Sequence, residues 1–333
     1  MAPSSQPPRY RHCVTTPESA TILDPLEDLL DVLDLTPVGS AHITVDGPVA
    51  NMGADLGESD ADVFIGRSQP MPHGRVFGGQ VLAQSVIAAG RTVEDLADAG
   101  ERPRRIHSLH GYFLRAGDSN HRIRFAVERL RDGHSFSARR VHAIQFGKPI
   151  LSMITSFQAD ADGLDHQDHM PAAPDPESLQ TLAEEFAGCE APAATCWSLA
   201  KAIDLRHVEG AIYIRPGRQR AAQQSVWLRA TGQMPDDPLL HAAVLAYCSD
   251  YSLLEPVLRR HGLAWSDRRL RAASLDHAMW FHRPARVDDW TLFTQSSPSA
   301  SSGRGLAAGR MFNADGQLLA TVAQEGMLRL KDS

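Results

Sequence analysis

The pattern of apolar and polar positions changes character at Val76. From there to Gly90 the chain reads VFGGQVLAQSVIAAG, a run without a single charged residue. Such a run is too long for a typical strand and too short to cross a membrane, so it predicts a helix that is hydrophobic nearly all round. A helix of that kind has to be wrapped. Strand-like segments follow at Ser108–Leu114, Ile123–Leu130, Ser135–Phe146 and Ile150–Gln158, separated by the turn signals Ala-Gly-Asp, Arg-Asp-Gly and Phe-Gly-Lys-Pro. The expected unit is α+β: one buried helix with an antiparallel sheet curled around it.

Around this unit the chain divides. Residues 1–22, rich in Pro, Ser and Thr, predict a disordered tail. Asp24-Pro25-Leu26-Glu27 has the form of a capping box, with Leu26, Leu29, Leu30 and Leu33 on one apolar face of a short helix. His42–Val45 and Asp62–Ile65 predict two strands separated by an insertion rich in Gly, Asp and Pro. Residues 159–178, ADADGLDHQDHMPAAPDPES, read as a linker, taken to extend to 190. The second half then repeats the first. Phe113 and Arg115 match Phe281 and Arg283, and Phe125 matches Phe293, each at an offset of 168 (281 − 113, 293 − 125). Ser108-Leu109 matches Ser274-Leu275 at 166, which requires two inserted residues. Two tandem copies of this helix-and-sheet unit, the arrangement called a hotdog, give a double hotdog: 23–158, a linker at 159–190, and 191–333.

Composition narrows the function. The 333 residues, 43% of them hydrophobic, are enough for two domain-sized cores. A net charge of −7 argues against a general nucleic-acid binder. Cys13, Cys189, Cys196 and Cys248 have neither metal-ligand spacing nor the pattern of a disulfide framework, and read as reduced thiols of a cytoplasmic protein. No apolar stretch has the length of a membrane span, the first residues lack the apolar core of a signal peptide, and the final Lys331-Asp332-Ser333 is not a peroxisomal address.

The strings VFGGQVLAQ, HSLHGYFLRAGDS, LRDGHSFSARRV, SLDHAMWFHRP and TVAQEGMLR together resemble the acyl-CoA thioesterase II, or TesB-type, family over roughly residues 23–330. The resemblance implies a double hotdog that hydrolyses acyl-CoA to a free fatty acid and CoA, with no metal or organic cofactor. It also implies that a carboxylate, a hydroxyl and a glutamine hold the attacking water. These map onto Asp250 in LAYCSDYSLL, Ser274 in AASLDHAMWFHRP and Gln324 in TVAQEGMLR; bacterial members often have Thr in place of the Ser. By analogy a homo-oligomer is expected.

The chemistry suits these residue types. Thioester hydrolysis needs a water that loses a proton as it attacks, and donors for the oxyanion that develops. Asp250 can accept the proton, while Ser274 and Gln324 can orient the water without competing for its charge. Amides at a helix start suit an oxyanion, so Gly78, Gly79 and Gln80 are the candidates for that role. Taken singly each residue has a plainer reading: an Asp where a helix gives way to a loop is usually a cap, a strand Gln usually faces solvent, and a Gly pair is usually a turn.

Other constellations are weaker. Gly133-His134-Ser135-Phe136-Ser137 has part of the form of a nucleophile elbow, but its fifth residue is Ser and a strand follows where an elbow needs a helix. The cluster Asp165-His166-Gln167-Asp168-His169 sits in the linker, where such residues are usually solvated. His277 and His282 flank Trp280 on an expected strand and read as hydrogen-bonded wall or core residues. Arg115, Arg139 and Arg140 read either as charges on the sheet surface or as partners for CoA phosphates. The competing function is a non-catalytic acyl-CoA-binding module; a hotdog dehydratase would want an Asp and a His in Gly79–Thr92, which has neither.

Overall fold

A computed structural model describes residues 24–44, 58–71, 74–98, 102–187 and 202–331. The expected tail, most of the insertion after Val45, and Cys13, Cys189 and Cys196 lie outside them. Chain order begins with α1 (Pro25–Leu33), β1 (Thr36–Thr44), β2 (Glu58–Gly66), α2 (Gly78–Asp98), β3 (Arg104–Phe113), β4 (Ile123–Asp132), β5 (Phe136–Gln145) and β6 (Lys148–Ala159). After a 3-10 turn at Pro176–Ser178 come α3 (Leu182–Glu185), β7 (Ile203–His207), β8 (Gln223–Ala230), α4 (Pro238–Ser249) and α5 (Glu255–His261). The chain finishes with β9 (Leu270–Ser274), β10 (Asp276–Phe281), β11 (Thr291–Ser301), β12 (Arg304–Asn313) and β13 (Leu318–Leu330).

Asp24 caps α1 by accepting from the amides of Leu26 (2.8 Å) and Glu27 (3.3 Å). The face it docks is Leu26, Leu29, Val32 and Leu33, with Leu30 on its margin. The central run behaves as its composition demands: every residue from Gly79 to Gly90 is buried, and the helix continues to Asp98.

Every strand pairing is antiparallel, in the order β1-β2-β4-β5-β6-β3-β10-β13-β12-β11-β8-β7, with β9 beside β13. The order is a palindrome of two six-strand halves joined where β3 meets β10, Met279 opposite Leu109. Each half curls around its own helix, which gives the double hotdog. β4 and β11 begin 168 residues apart (291 − 123), as do β5 and β12 (304 − 136).

The ladders correct two of the internal matches. Gln324 pairs with Ala307; residue 139, which is 307 − 168, pairs with Thr155, so the counterpart of Gln324 is Thr155 and not Ser156. Ser274 lies opposite Gly326 as Ile106 lies opposite Phe157, so its counterpart is Ile106 and not Ser108. No two-residue insertion is present: β3 is irregular at His107 just where β9 gives way to β10 at Leu275, 168 residues on, and the pairings on both sides of that point keep the same offset.

The helices α2 and α4 lie against each other. Gly79 abuts Tyr247 and Gly90 abuts Leu239, so they run antiparallel, with the start of α2 at the end of α4. Glycine at these positions lets the backbones approach. The segment between the halves is tied to the C-terminal lobe: Gln167 bonds Gly316 and Leu318, Trp227 Nε1 donates to the Pro174 carbonyl, and Arg206 donates to Pro176 and Leu179. Asp165 and Asp168 of its acidic cluster pair with Arg283 and Arg310.

Candidate active site

α4 starts on Asp237, whose carboxylate takes the amides of Leu239 and Leu240, and its apolar body Ala243–Cys248 is buried in the core. It stops at Ser249. Gln295 Nε2 donates to Ser252 Oγ (2.7 Å) and Gln224 Nε2 to the Ser252 carbonyl (3.2 Å), pinning the turn before α5 begins at Glu255. Asp250 is therefore the backbone C-cap of α4, as the plain reading of an Asp at a helix end allows. Its side chain does something else and points at the start of α2.

Three elements converge there. Asp250 Oδ1 accepts from Gln324 Nε2 of β13 at 2.9 Å and from Ser274 Oγ, at the end of β9, at 3.4 Å. Gln324 Nε2 also reaches Ser274 Oγ at 2.6 Å. From α2, the Gly79 amide donates to the same carboxylate, and a Cβ on Gly78 would stand 2.5 Å from Asp250 Oδ2. The space beside the acid thus requires glycine. Phe77, Tyr247 and Tyr251 form a ring cluster next to it, with centroids 5.0–5.4 Å apart.

Burial raises the Asp250 carboxyl to about 6, against the opposing pull of its donors from Gln324, Gly79 and Ser274. The helix ends act in opposition: the C-terminus of α4 disfavours the anion and the N-terminus of α2 favours it. A carboxylate so poised is ionised at neutral pH yet still basic enough to take a proton.

Gly78, Gly79 and Gln80 precede the first helical bond of α2, from Val81 N–H to the Phe77 carbonyl. Gly79 gives its amide to Asp250. The Gln80 side chain turns away and is fully buried, accepting from the Gln69 amide (2.9 Å) and donating to Gln84 (3.0 Å), so only its backbone belongs to the site.

Of the remaining candidates, Arg139 does not fit a phosphate-binding role. Its guanidinium is fully buried between Asp132 (2.8 Å) and Thr92 (2.8 Å), out of reach of any ligand at the surface. Arg140 pairs with Glu128, and Arg115 donates to the Pro149 carbonyl. Ser135 precedes β5, which begins at Phe136, so a strand and not the helix of an elbow follows it. His282 bonds Thr321. His277 is buried and hydrogen-bonded, as its sequence context predicts, but its partners are not legible there: Nδ1 meets Gln324 Oε1 at 2.9 Å and Nε2 meets Ser249 Oγ at 2.8 Å. Ser249 carries no signal of its own beyond preceding Asp250.

Comparison with known proteins shows the family to which this fold belongs. Residues 67–158 match the family model described as acyl-CoA thioesterase N-terminal domain, and residues 205–327 match that described as acyl-CoA thioesterase. The chain is 39% identical to human acyl-coenzyme A thioesterase 8 over 82% of its own length and 86% of that protein. It is 34% identical to acyl-CoA thioesterase 2 of Haemophilus influenzae, over 83% and 96%. Among solved structures, the acyl-CoA thioesterase II TesB2 of Mycobacterium marinum superposes with a TM-score of 0.67 at 39% identity, covering 91% of this chain and 99% of that one.

Proposed function

The chain belongs to the TesB-type acyl-CoA thioesterase II family, and we propose that it hydrolyses acyl-CoA to free acid and CoA at the centre formed by Asp250, Ser274 and Gln324. The observation that carries the site is the convergence of those three side chains, from α4, β9 and β13, on the glycine-led start of α2.

A water bound among the three is held by Ser274 and Gln324, and its proton passes to Asp250 as its oxygen attacks the thioester carbonyl. The oxygen of the tetrahedral intermediate takes amide hydrogens at the start of α2, from Gly78 and Gln80, Gly79 being engaged with the acid. Collapse breaks the C–S bond, and the thiolate leaves as CoA, which receives the proton from Asp250. The balance is one water consumed, one acid and one thiol formed. The residues need no metal or organic cofactor for this sequence of steps.

Incubation with acyl-CoAs of several chain lengths, followed by free thiol release, tests the reading. Turnover by the natural chain and its loss by about 10²- to 10⁴-fold in Asp250→Asn are expected, the range for a general base. Binding of acyl-CoA without thiol release would leave only a binding module.

We place the protein in the cytoplasm as a homo-oligomer. No helix among the described residues is long and apolar enough to cross a membrane, and Cys248 is a buried free thiol. The outer sheet face where the halves meet carries exposed Tyr112, Ile154 and Trp280, apolar groups that a second copy would cover. Light scattering reads the assembly, and cell fractionation the compartment.

A further inference from the structure

Gln324 can hold a water only if its amide faces one way. Its NH₂ has to meet Asp250 and Ser274, because a carbonyl turned toward an ionised carboxylate would set acceptor against acceptor. Once Asp250 takes a proton, as it does in each turnover, that discrimination is gone: a neutral carboxyl can donate to a flipped carbonyl. Something outside the trio has to keep the amide from turning.

His277 is placed to do so. Its ring is buried, and burial holds it neutral, with its pKa down to about 4. A neutral imidazole has one N–H. Gln324 Oε1 can only accept, so the ring proton has to sit on Nδ1, 2.9 Å away. Nε2 is then an acceptor, and the group facing it at 2.8 Å is the Ser249 hydroxyl. Ser249 has one proton and two acceptors within reach, Nε2 and the Ala246 carbonyl at 2.8 Å. If the proton goes to Ala246, Ser249 offers a lone pair to Nε2, the ring prefers its other tautomer, and Gln324 is free to flip. The polarity Ser249 → His277 → Gln324 → Asp250 therefore holds while Ser249, whose hydroxyl also donates to the Ala246 carbonyl, shares its proton with Nε2.

We infer that His277 and Ser249 form a positioning pair that fixes the orientation of the Gln324 amide, and with it the donors that Asp250 and its water meet. This rests on the trio being the hydrolytic centre. The other titratable groups near Asp250 are Tyr247, Cys248 and Tyr251, all kept neutral by burial; α2 presents only Gly78 and Gly79, and β3 presents Phe113. Among the described residues, Asp250 is the one charged group hydrogen-bonded to the amide.

The test compares His277→Leu, His277→Asn and Ser249→Ala, each alone and with Gln324→Ala. His277→Leu is expected to lower kcat by about 10- to 100-fold with KM little changed, and to move the acidic limb of the pH profile upward, because Asp250 loses an oriented donor. His277→Asn keeps an N–H near the Nδ1 position and should recover most of the rate with the limb in place. Ser249→Ala should cost several-fold. Added to Gln324→Ala, none of the three should cost more, since the pair acts only through that amide. Losses that multiply in the double variants, or a lowered kcat with an unmoved limb and no recovery in His277→Asn, would overturn the inference in favour of a packing role. If His277→Leu does not fold, Ser249→Ala and His277→Asn decide by the same double-variant comparison. Full activity of Gln324→Ala would instead overturn the catalytic reading on which the inference rests.

Discussion

The two ends of the α2–α4 helix pair look alike in topology and differ in chemistry. At one end Asp250 projects past the last turn of α4 to the glycines opening α2. At the other, Gly90 of α2 abuts Leu239 at the start of α4, and two residues further along α2 Thr92 accepts from Arg139 of β5. The first difference is in the helices: α4 breaks after Ser249, whereas α2 runs on to Asp98. The second is in the sheet. Opposite Gln324 stands Ala307, with a small side chain; opposite its counterpart Thr155 stands Arg139, whose buried guanidinium is anchored by Asp132. On the proposed assignment, the duplicated fold carries a single site. One end keeps a buried acid, and the other is closed by the buried Arg139 paired with Asp132; one catalytic centre per chain is the proposal the variants below test.

Asp250→Asn breaks the comparison most severely. Turnover should fall about 10²- to 10⁴-fold, and no residual rate should arise from the N-terminal lobe. For the natural chain kcat/KM should fall as pH drops through about 6, where the base becomes protonated. The stability effect has the opposite sense. A carboxyl whose folded pKa is raised above its unfolded value contributes stability that is complete below the unfolded value and lost as pH rises through about 6. Asp250→Asn should thus be more stable than the natural chain at pH 8, by up to about 3 kcal/mol, and no more stable near pH 3. Urea unfolding at the two pH values checks this.

Asp132→Ala addresses the closed end. It leaves the Arg139 guanidinium buried without its carboxylate, so a loss of about 2–4 kcal/mol is expected. Turnover per folded molecule should not change. A change in kcat would show that the closed end still communicates with chemistry.

The two glycines of α2 sharpen the contrast. Gly78→Ala drives a methyl into Asp250 Oδ2 and within 3.1 Å of Phe113, and should cost activity by about 10- to 100-fold through a displaced carboxylate. Gly90→Ala meets only the flexible end of Leu239, so it should cost about 1–3 kcal/mol of stability and little rate. Assaying both at matched folded fraction separates the effects.

The smallest expected effect is at Ser274. Ser274→Thr keeps the hydroxyl and should stay within a few-fold of the natural rate, whereas Ser274→Ala and Gln324→Ala should each reduce it. The double variant should lose less than the product of the single losses, since both groups hold one water.

The run Gly79–Gly90 determines its own burial, because an uncharged stretch of that length has no stable place except inside a sheet. The strands Ile123–Asp132 and Phe136–Gln145 are equally legible, being alternating segments bounded by turn residues, and so is their recurrence at 168. Asp250, Ser274 and Gln324 are legible only through the family strings around them. What no pattern along the chain carries is decided by tertiary packing. The counterpart of Gln324 depends on a ladder register, and a shift of one residue turns a side chain to the other face of the sheet. The burial of Arg139, which in sequence resembles a surface charge, depends on α2 lying over β5 and bringing Thr92 to its guanidinium. The burial that raises the Asp250 carboxyl, the donors from Ser274 and Gln324 that oppose it, and the contact of His277 with Gln324 all arise between elements distant in sequence. Local sequence encodes periodicity and turns, which are short-range; desolvation and hydrogen-bond polarity arise only when distant elements meet.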